Sequence, residues 1–206
     1  MYWYEEEVQR VEKESANLNY KPAMVFYGSS SIRMWDSLSE DFHLYKPVNL
    51  GFGGSTLEAC VHFFHRILKP YHPQQLVIYA GDNDLGDGKK PDEVFTYFKK
   101  LCKLIVNEYV NTKVFYISIK PSIARWEIND QIKHTNALIE QAIHTRYRQI
   151  NFINIYNSMI NEQGMPIPEL YIEDGLHLSL KGYNVWKQVL LAHFSINIDS
   201  NIILQC

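Results

Sequence analysis

Three serines in a row, Ser29-Ser30-Ser31, follow an apolar run and a glycine, Val25-Phe26-Tyr27-Gly28. A strand that ends in glycine and turns at once into a helix exposes a hydroxyl at the turn. Far along the chain, Asp174 and His177 stand three residues apart in Glu173-Asp174-Gly175-Leu176-His177-Leu178-Ser179. At a loop–helix junction, that spacing lets a carboxylate reach Nδ1 of the imidazole while Nε2 faces outward. A serine hydroxyl is a weak nucleophile until a base takes its proton. A carboxylate fixes the tautomer of that base and stabilises the imidazolium. Each piece alone also has a plainer reading. Serine is a preferred helix N-cap, and so is aspartate. His62 and His65, at i and i+3, read as a solvated helix face, since no third ligand accompanies them. The remaining histidines belong to no constellation.

The elements that must carry these residues follow from periodicity. Val8, Val11, Ser15 and Leu18 at 3–4 spacing predict a helix over 5–18, ended by Asn19 and Pro22. Five apolar runs, 23–27, 45–50, 75–80, 113–119 and 151–155, predict strands. Between them fall helices over about 55–68, 91–110 and 127–146, with a last helix over 179–192. Ser55 is the expected cap of the helix over 55–68, with Glu58 completing a capping box. Pro91 suits the first turn of the next. Residues 81–90, rich in Gly and Asp, read as a loop. Strands apolar throughout, alternating with helices, indicate a parallel sheet covered on both faces. The expected fold class is therefore α/β, a three-layer α/β/α sandwich of about five parallel strands. One domain over 1–206 is expected, with the N-terminal helix of 1–19 packed on it. In open parallel sheets, ligands bind beyond the carboxyl ends of the strands. Ser30, Gly54, Asn83 and the segment 120–126 all fall at such ends.

Composition narrows the function classes. The 206 residues are 46% hydrophobic and 21% charged, so one substantial core is affordable. A net charge of -3 gives no reason to expect nucleic acid or an anionic membrane as partner. No apolar run approaches the ~20 residues of a spanning helix. The start, Met1-Tyr2-Trp3-Tyr4-Glu5, lacks the basic and apolar regions of a secretory signal, so a cytoplasmic location is expected. A trimmed leader would leave secretion or the periplasm open. Cys60, Cys102 and Cys206 form neither a disulfide framework nor a metal pattern.

Four blocks in order resemble one family. Gly28-Ser29-Ser30, Asn49-Leu50-Gly51-Phe52-Gly53-Gly54, Gly81-Asp82-Asn83-Asp84 and Asp174-Gly175-Leu176-His177 are similar to the blocks of the SGNH (GDSL-type) hydrolases. The resemblance spans most of the chain. It implies a flavodoxin-like fold with strand order 2-1-3-4-5. It also implies Ser30 as nucleophile, His177 as base and Asp174 as the acid that orients it. The implied oxyanion hole is the backbone N–H of Ser30 and of Gly54 with the side-chain amide of Asn83. No metal and no organic cofactor are expected. One position departs from the pattern: the family usually carries Asp just before the nucleophile, where this chain has Ser29.

Substrate is less defined. Trp35, Phe52, Trp126 and Tyr171 lie near strand ends and are candidate walls of an acyl or alcohol pocket, with core packing as the other reading. Lys120 and Arg125 are candidates for meeting an anionic or sugar substrate. With no long lid insertion, a small-molecule ester with an acetyl-like acyl group is the expectation. A lysophospholipase or acyl-thioesterase is the alternative within the family. A catalytically silent binding module is opposed by the presence of Ser30, Asn83, Asp174 and His177 together. A nucleotide binder built on Gly51-Phe52-Gly53-Gly54 lacks the third glycine of the usual spacing, since position 56 is Thr. Oligomeric state is not specified by any feature.

Overall fold

Five of the apolar runs pair as parallel strands, β1 (Met24–Gly28), β2 (Pro47–Gly51), β3 (Gln75–Tyr79), β4 (Lys113–Ile117) and β5 (Ile150–Ile153), in the order β2-β1-β3-β4-β5. The structure is a computed structural model that describes residues 1–202, with the backbone alone for Ser15 and 195–202. Cys206 lies outside the described residues. The helices are α1 (Glu5–Ala16), α2 (Ser30–Arg33), α3 (Leu38–Asp41), α4 (Leu57–Leu68), α5 (Asp82–Gly86), α6 (Pro91–Glu108), α7 (Asn129–Arg146) and α8 (Leu180–Ile202).

Side chains alternate across each strand, so each strand feeds two cores. Val25 and Tyr27 of β1 join Leu76, Ile78, Val114 and Tyr116 beneath α1, α4, α6 and α7. Met24 and Phe26 join Val77, Tyr79, Phe115 and Ile117 beneath α2, α3 and α8. Every residue of β1 is buried, as its position between β2 and β3 demands. The second core is dense in large rings: Trp35 packs on Phe26, Phe42, Tyr183 and Trp186, and Trp186 packs on Tyr79. Truncating a ring of this kind to Ala typically costs 3–5 kcal/mol.

Three local expectations are corrected. Residues 81–90 contain a short helix, α5. Asp and Asn favour turns by bonding their own backbone, but Asp82 and Asp84 here spend their carboxylates on distant partners. The cap of α4 is Thr56, whose Oγ1 accepts from the Ala59 N–H at 3.1 Å, and not Ser55. The last helix continues past residue 192 to Ile202.

Order reverses at β1: the chain places β2 on one side of it and β3 on the other. Gly28 pairs with Gly51 of β2 and Tyr79 of β3, so three carboxyl ends lie side by side. That is the switch point at which such sheets bind ligands.

Candidate active site

Ser30 is placed by a turn that only glycine permits. Gly28 has φ 139°, and a Cβ there would lie 1.9 Å from the Tyr79 carbonyl oxygen. The close approach lets the Ser29 N–H donate to that oxygen at 2.9 Å, while the Phe52 N–H donates to the Gly28 oxygen at 2.9 Å. The turn is thereby fastened to both neighbouring strands. Of the three serines, Ser29 and Ser31 are each 2% exposed, whereas Ser30 is half-buried and reachable. Ser29 occupies the N-cap of α2 without using its hydroxyl to cap. The Ser30 hydroxyl does not cap either: it lies 3.0 Å from His177 Nε2.

The partner loop comes from the far end of the sequence. His177 Nδ1 lies 2.5 Å from Asp174 Oδ2, while Asp174 Oδ1 accepts the N–H groups of Leu176 at 2.8 Å and His177 at 2.9 Å. Burial of the Asp174 carboxyl opposes its ionisation, but the bonds from His177 and the two amides outweigh it and hold the carboxyl at about 2. The loop is fixed at Gly175, whose oxygen accepts from the Ile123 and Ala124 N–H groups. From α8, the Tyr183 hydroxyl donates to the Ser31 oxygen at 3.1 Å, joining the end of the chain to the serine turn. A hydroxyl, an imidazole and an ionised carboxylate bonded in series can move a proton from oxygen to nitrogen.

Gly54 and Asn83 lie in the segments that follow β2 and β3, the two neighbours of β1 in the sheet. Gly54 is exposed, has φ 68°, and a Cβ there would meet nothing within 4 Å. Its glycine is required by the left-handed backbone, and its face toward solvent is open. Asn83, on α5, donates from Nδ2 to the Ser55 oxygen at 3.1 Å, which ties the loop after β3 to the loop after β2. Arg125 donates to the other end of that amide, Oδ1, at 3.1 Å.

Several predicted residues fall elsewhere. Trp35 and Phe52 are 1% and 0% exposed and pack inside the two cores, and Tyr171 is buried with its hydroxyl on the Pro121 oxygen at 2.7 Å. None of these three lines an open pocket, because burial of aromatic surface won over exposure to a ligand. Trp126 remains half-exposed, in a single turn before α7. Lys120 is 1% exposed and bonded to Asp82 Oδ2 at 2.9 Å, so it is not a surface cation awaiting a substrate. Arg125 is bonded to Asp82 Oδ1 at 2.5 Å. Asp82 went unrecognised in the sequence as the centre of this cluster. Burial alone would raise its carboxyl, but Lys120 and Arg125 outweigh that and lower it. Glu7 was also missed: it accepts the Gly53 N–H at 2.6 Å from the neighbouring α1. A cavity of about 530 Å³ between α1, residues 18–22 and α4 is lined by Val11, Tyr20, Arg66, Ile67 and Tyr71 and contains none of the residues above. Among the described residues, no group of three or more metal-binding side chains is gathered, and no helix is long and apolar enough to cross a membrane.

Comparison with known proteins gives the family and the fold. The family model described as "GDSL-like Lipase/Acylhydrolase family" matches residues 22–185. The chain belongs to that family of hydrolases. A solved structure of a Streptococcus pneumonia protein, provisionally assigned as a platelet activating factor, superposes with TM-score 0.81 at 22% identity, covering 93% of this chain and 94% of that one. A GDSL-like lipase from Bacteroides thetaiotaomicron superposes with TM-score 0.77 at 23% identity, covering 92% and 98%. Both share the fold. A stretch of 141 residues is 26% identical to the N-acylneuraminate cytidylyltransferase of Escherichia coli, covering 66% of this chain. The chain spans about a third, 32%, of the length of that relative.

Proposed function

We propose that this protein is a serine esterase that hydrolyses a small, acetyl-like acyl ester through an acyl-enzyme. The observation that supports it most is the series Ser30 Oγ, His177 Nε2, His177 Nδ1, Asp174 Oδ2, with 3.0 and 2.5 Å at its two joints. In this reading Ser30 Oγ attacks the ester carbonyl as its proton passes to His177 Nε2. Asp174 holds the imidazole in the tautomer with hydrogen on Nδ1 and stabilises the imidazolium. Negative charge moves to the former carbonyl oxygen, where the N–H groups of Ser30 and Gly54 and the Asn83 amide receive it. His177 returns the proton to the leaving alcohol as the tetrahedral intermediate collapses. Water then attacks the acyl-enzyme by the same route and frees the acid and Ser30.

The small acyl group is supported by the packing of the aromatics. With Trp35, Phe52 and Tyr171 committed to the core, only Trp126 of the four is left half-exposed. The test is a series of p-nitrophenyl esters and matched thioesters from acetyl to long acyl chains, with a lysophospholipid alongside. The reading expects kcat/KM to be highest at acetyl and to fall with length. A maximum at long chains, at the lysophospholipid or at thioesters would replace it with the lysophospholipase or thioesterase alternative.

A further inference from the structure

We propose that Arg125 is a positioning residue that sets and polarises the Asn83 amide, an inference that rests on the reading of Asn83 as an oxyanion donor. An Asn side chain is nearly symmetric in shape, and the wrong face would present an oxygen to a developing anion. Two contacts choose the face here. The Arg125 guanidinium can only donate, and it meets Oδ1 at 3.1 Å. The Ser55 carbonyl can only accept, and it meets Nδ2 at 3.1 Å. Both select the same orientation. The Ser55 oxygen takes one hydrogen of Nδ2, and the second is left for a ligand.

Arg125 is itself held from behind. Its NH1 meets Asp82 Oδ1 at 2.5 Å, and Asp82 Oδ2 takes Lys120 Nζ at 2.9 Å and the Tyr79 hydroxyl at 3.2 Å. Lys120 and Asp82 are 1% and 5% exposed. Burying ions is costly before pairing, so a cluster of this kind is weak support for a purely stabilising role. One carboxylate faces two cations, which leaves a net positive charge beside Asn83. A cation on the amide oxygen draws electron density from the nitrogen and makes its N–H a stronger donor. That effect is largest when the acceptor carries negative charge, in the transition state.

Gly86 carries an independent trace of the same arrangement. Its backbone has no positive φ and it is exposed, so neither strain nor burial demands glycine there. A Cβ at 86 would lie 2.5 Å from Arg125 Cζ, 2.6 Å from Nε and 2.7 Å from NH2. The guanidinium occupies the space that any side chain at 86 would take.

The experiment is a double-mutant cycle on p-nitrophenyl acetate hydrolysis with Arg125→Met, Asn83→Ala and the pair, each melted on the same preparation. Asn83→Ala alone is expected to lower kcat by roughly 100-fold or more with little change in KM. Arg125→Met alone is expected to lower kcat roughly tenfold, again with KM held, and to add nothing in the Asn83→Ala background. Gly86→Ala, which evicts the guanidinium without removing a charge, is expected to behave as Arg125→Met does and replaces it should Arg125→Met fail to fold. If Asn83→Ala turns over normally, the oxyanion reading falls and this inference with it. If Asn83→Ala is impaired but Arg125→Met and Gly86→Ala are unimpaired, or multiply its effect in full, the oxyanion reading stands and the positioning role is overturned.

Discussion

Two aspartates, Asp174 and Asp84, are driven in opposite directions by their surroundings. Asp174 is held at about 2 by its hydrogen bonds despite partial burial, so it is a carboxylate wherever the protein works. Asp84 is fully buried, and burial pushes its carboxyl up to about 6. Its Oδ2 accepts the Leu57 N–H at 2.7 Å, but Oδ1 has only Lys89 Nζ, 3.8 Å away. The signs of their linkage to stability differ. A depressed carboxyl contributes stability above its unfolded value and loses it as pH falls toward about 2. A raised carboxyl costs nothing while protonated in both states; its penalty builds as pH rises from the ordinary carboxylate range and is complete above about 6. Asp84→Asn keeps an oxygen for the Leu57 N–H and removes the charge. Its melting temperature should exceed that of the parent by about 2–4 °C at neutral pH, the shift that ~1 kcal/mol gives at this size. The gap should close on acidification to the ordinary carboxylate range. Paired thermal melts across pH check this, and a gap that is constant or reversed with pH would contradict the burial argument.

Among elements, α1 has the least obvious role. Its helical spacing is plain in the sequence, but its partners near the site are 26 to 46 residues away. Glu7 Oε2 accepts the Gly53 N–H at 2.6 Å and pairs with Arg33 Nε at 2.9 Å, Arg10 donates to the Gly51 oxygen at 2.8 Å, and, just before the helix, the Tyr4 hydroxyl donates to the Gly54 oxygen at 3.1 Å. The helix thus shapes the 51–54 turn from outside. Glu7→Ala should lower kcat about tenfold and the melting temperature by about 2–4 °C, as loss of an acceptor for a half-buried N–H costs ~1 kcal/mol or more. Glu12→Ala is the control: Glu12 lies on the same helix, but its partner is Arg66 of α4. It should move stability alone, and equal kcat for Glu7→Ala and the parent would remove α1 from the site. The elements read well from sequence were those whose environment is uniform. The strands are buried on both faces, so their apolar runs announce them. What stayed hidden depends on distant partners. Lys120 looks like a loop charge until Asp82, 38 residues earlier, is placed against it. The Gly81-Asp82-Asn83-Asp84 run looks like a turn until its carboxylates are seen to be engaged elsewhere. Trp35 looks like a pocket wall until α8 is laid over it.

At the scale of the whole molecule, sheet order does the assembling. β1 lies between β2 and β3, so the serine after β1 falls between the glycine turn after β2 and the helix after β3. Asp174 and His177 arrive last, after all five strands, on a loop pinned to residues 123–124 and closed by α8. The four sequence blocks are far apart in the chain and adjacent only because the order is 2-1-3-4-5. That is why the candidate site reads in the sequence as a set of blocks while its individual contacts do not. The central claim is that this assembly activates Ser30 and neither of its neighbours. The most direct measurement is to react the protein with a fluorophosphonate, digest it and map the modified residue by mass spectrometry, with His177→Ala treated in parallel. The account predicts a single adduct on Ser30 that is lost or greatly slowed in His177→Ala. An adduct on Ser29 or Ser31, or equal labelling without His177, would contradict it.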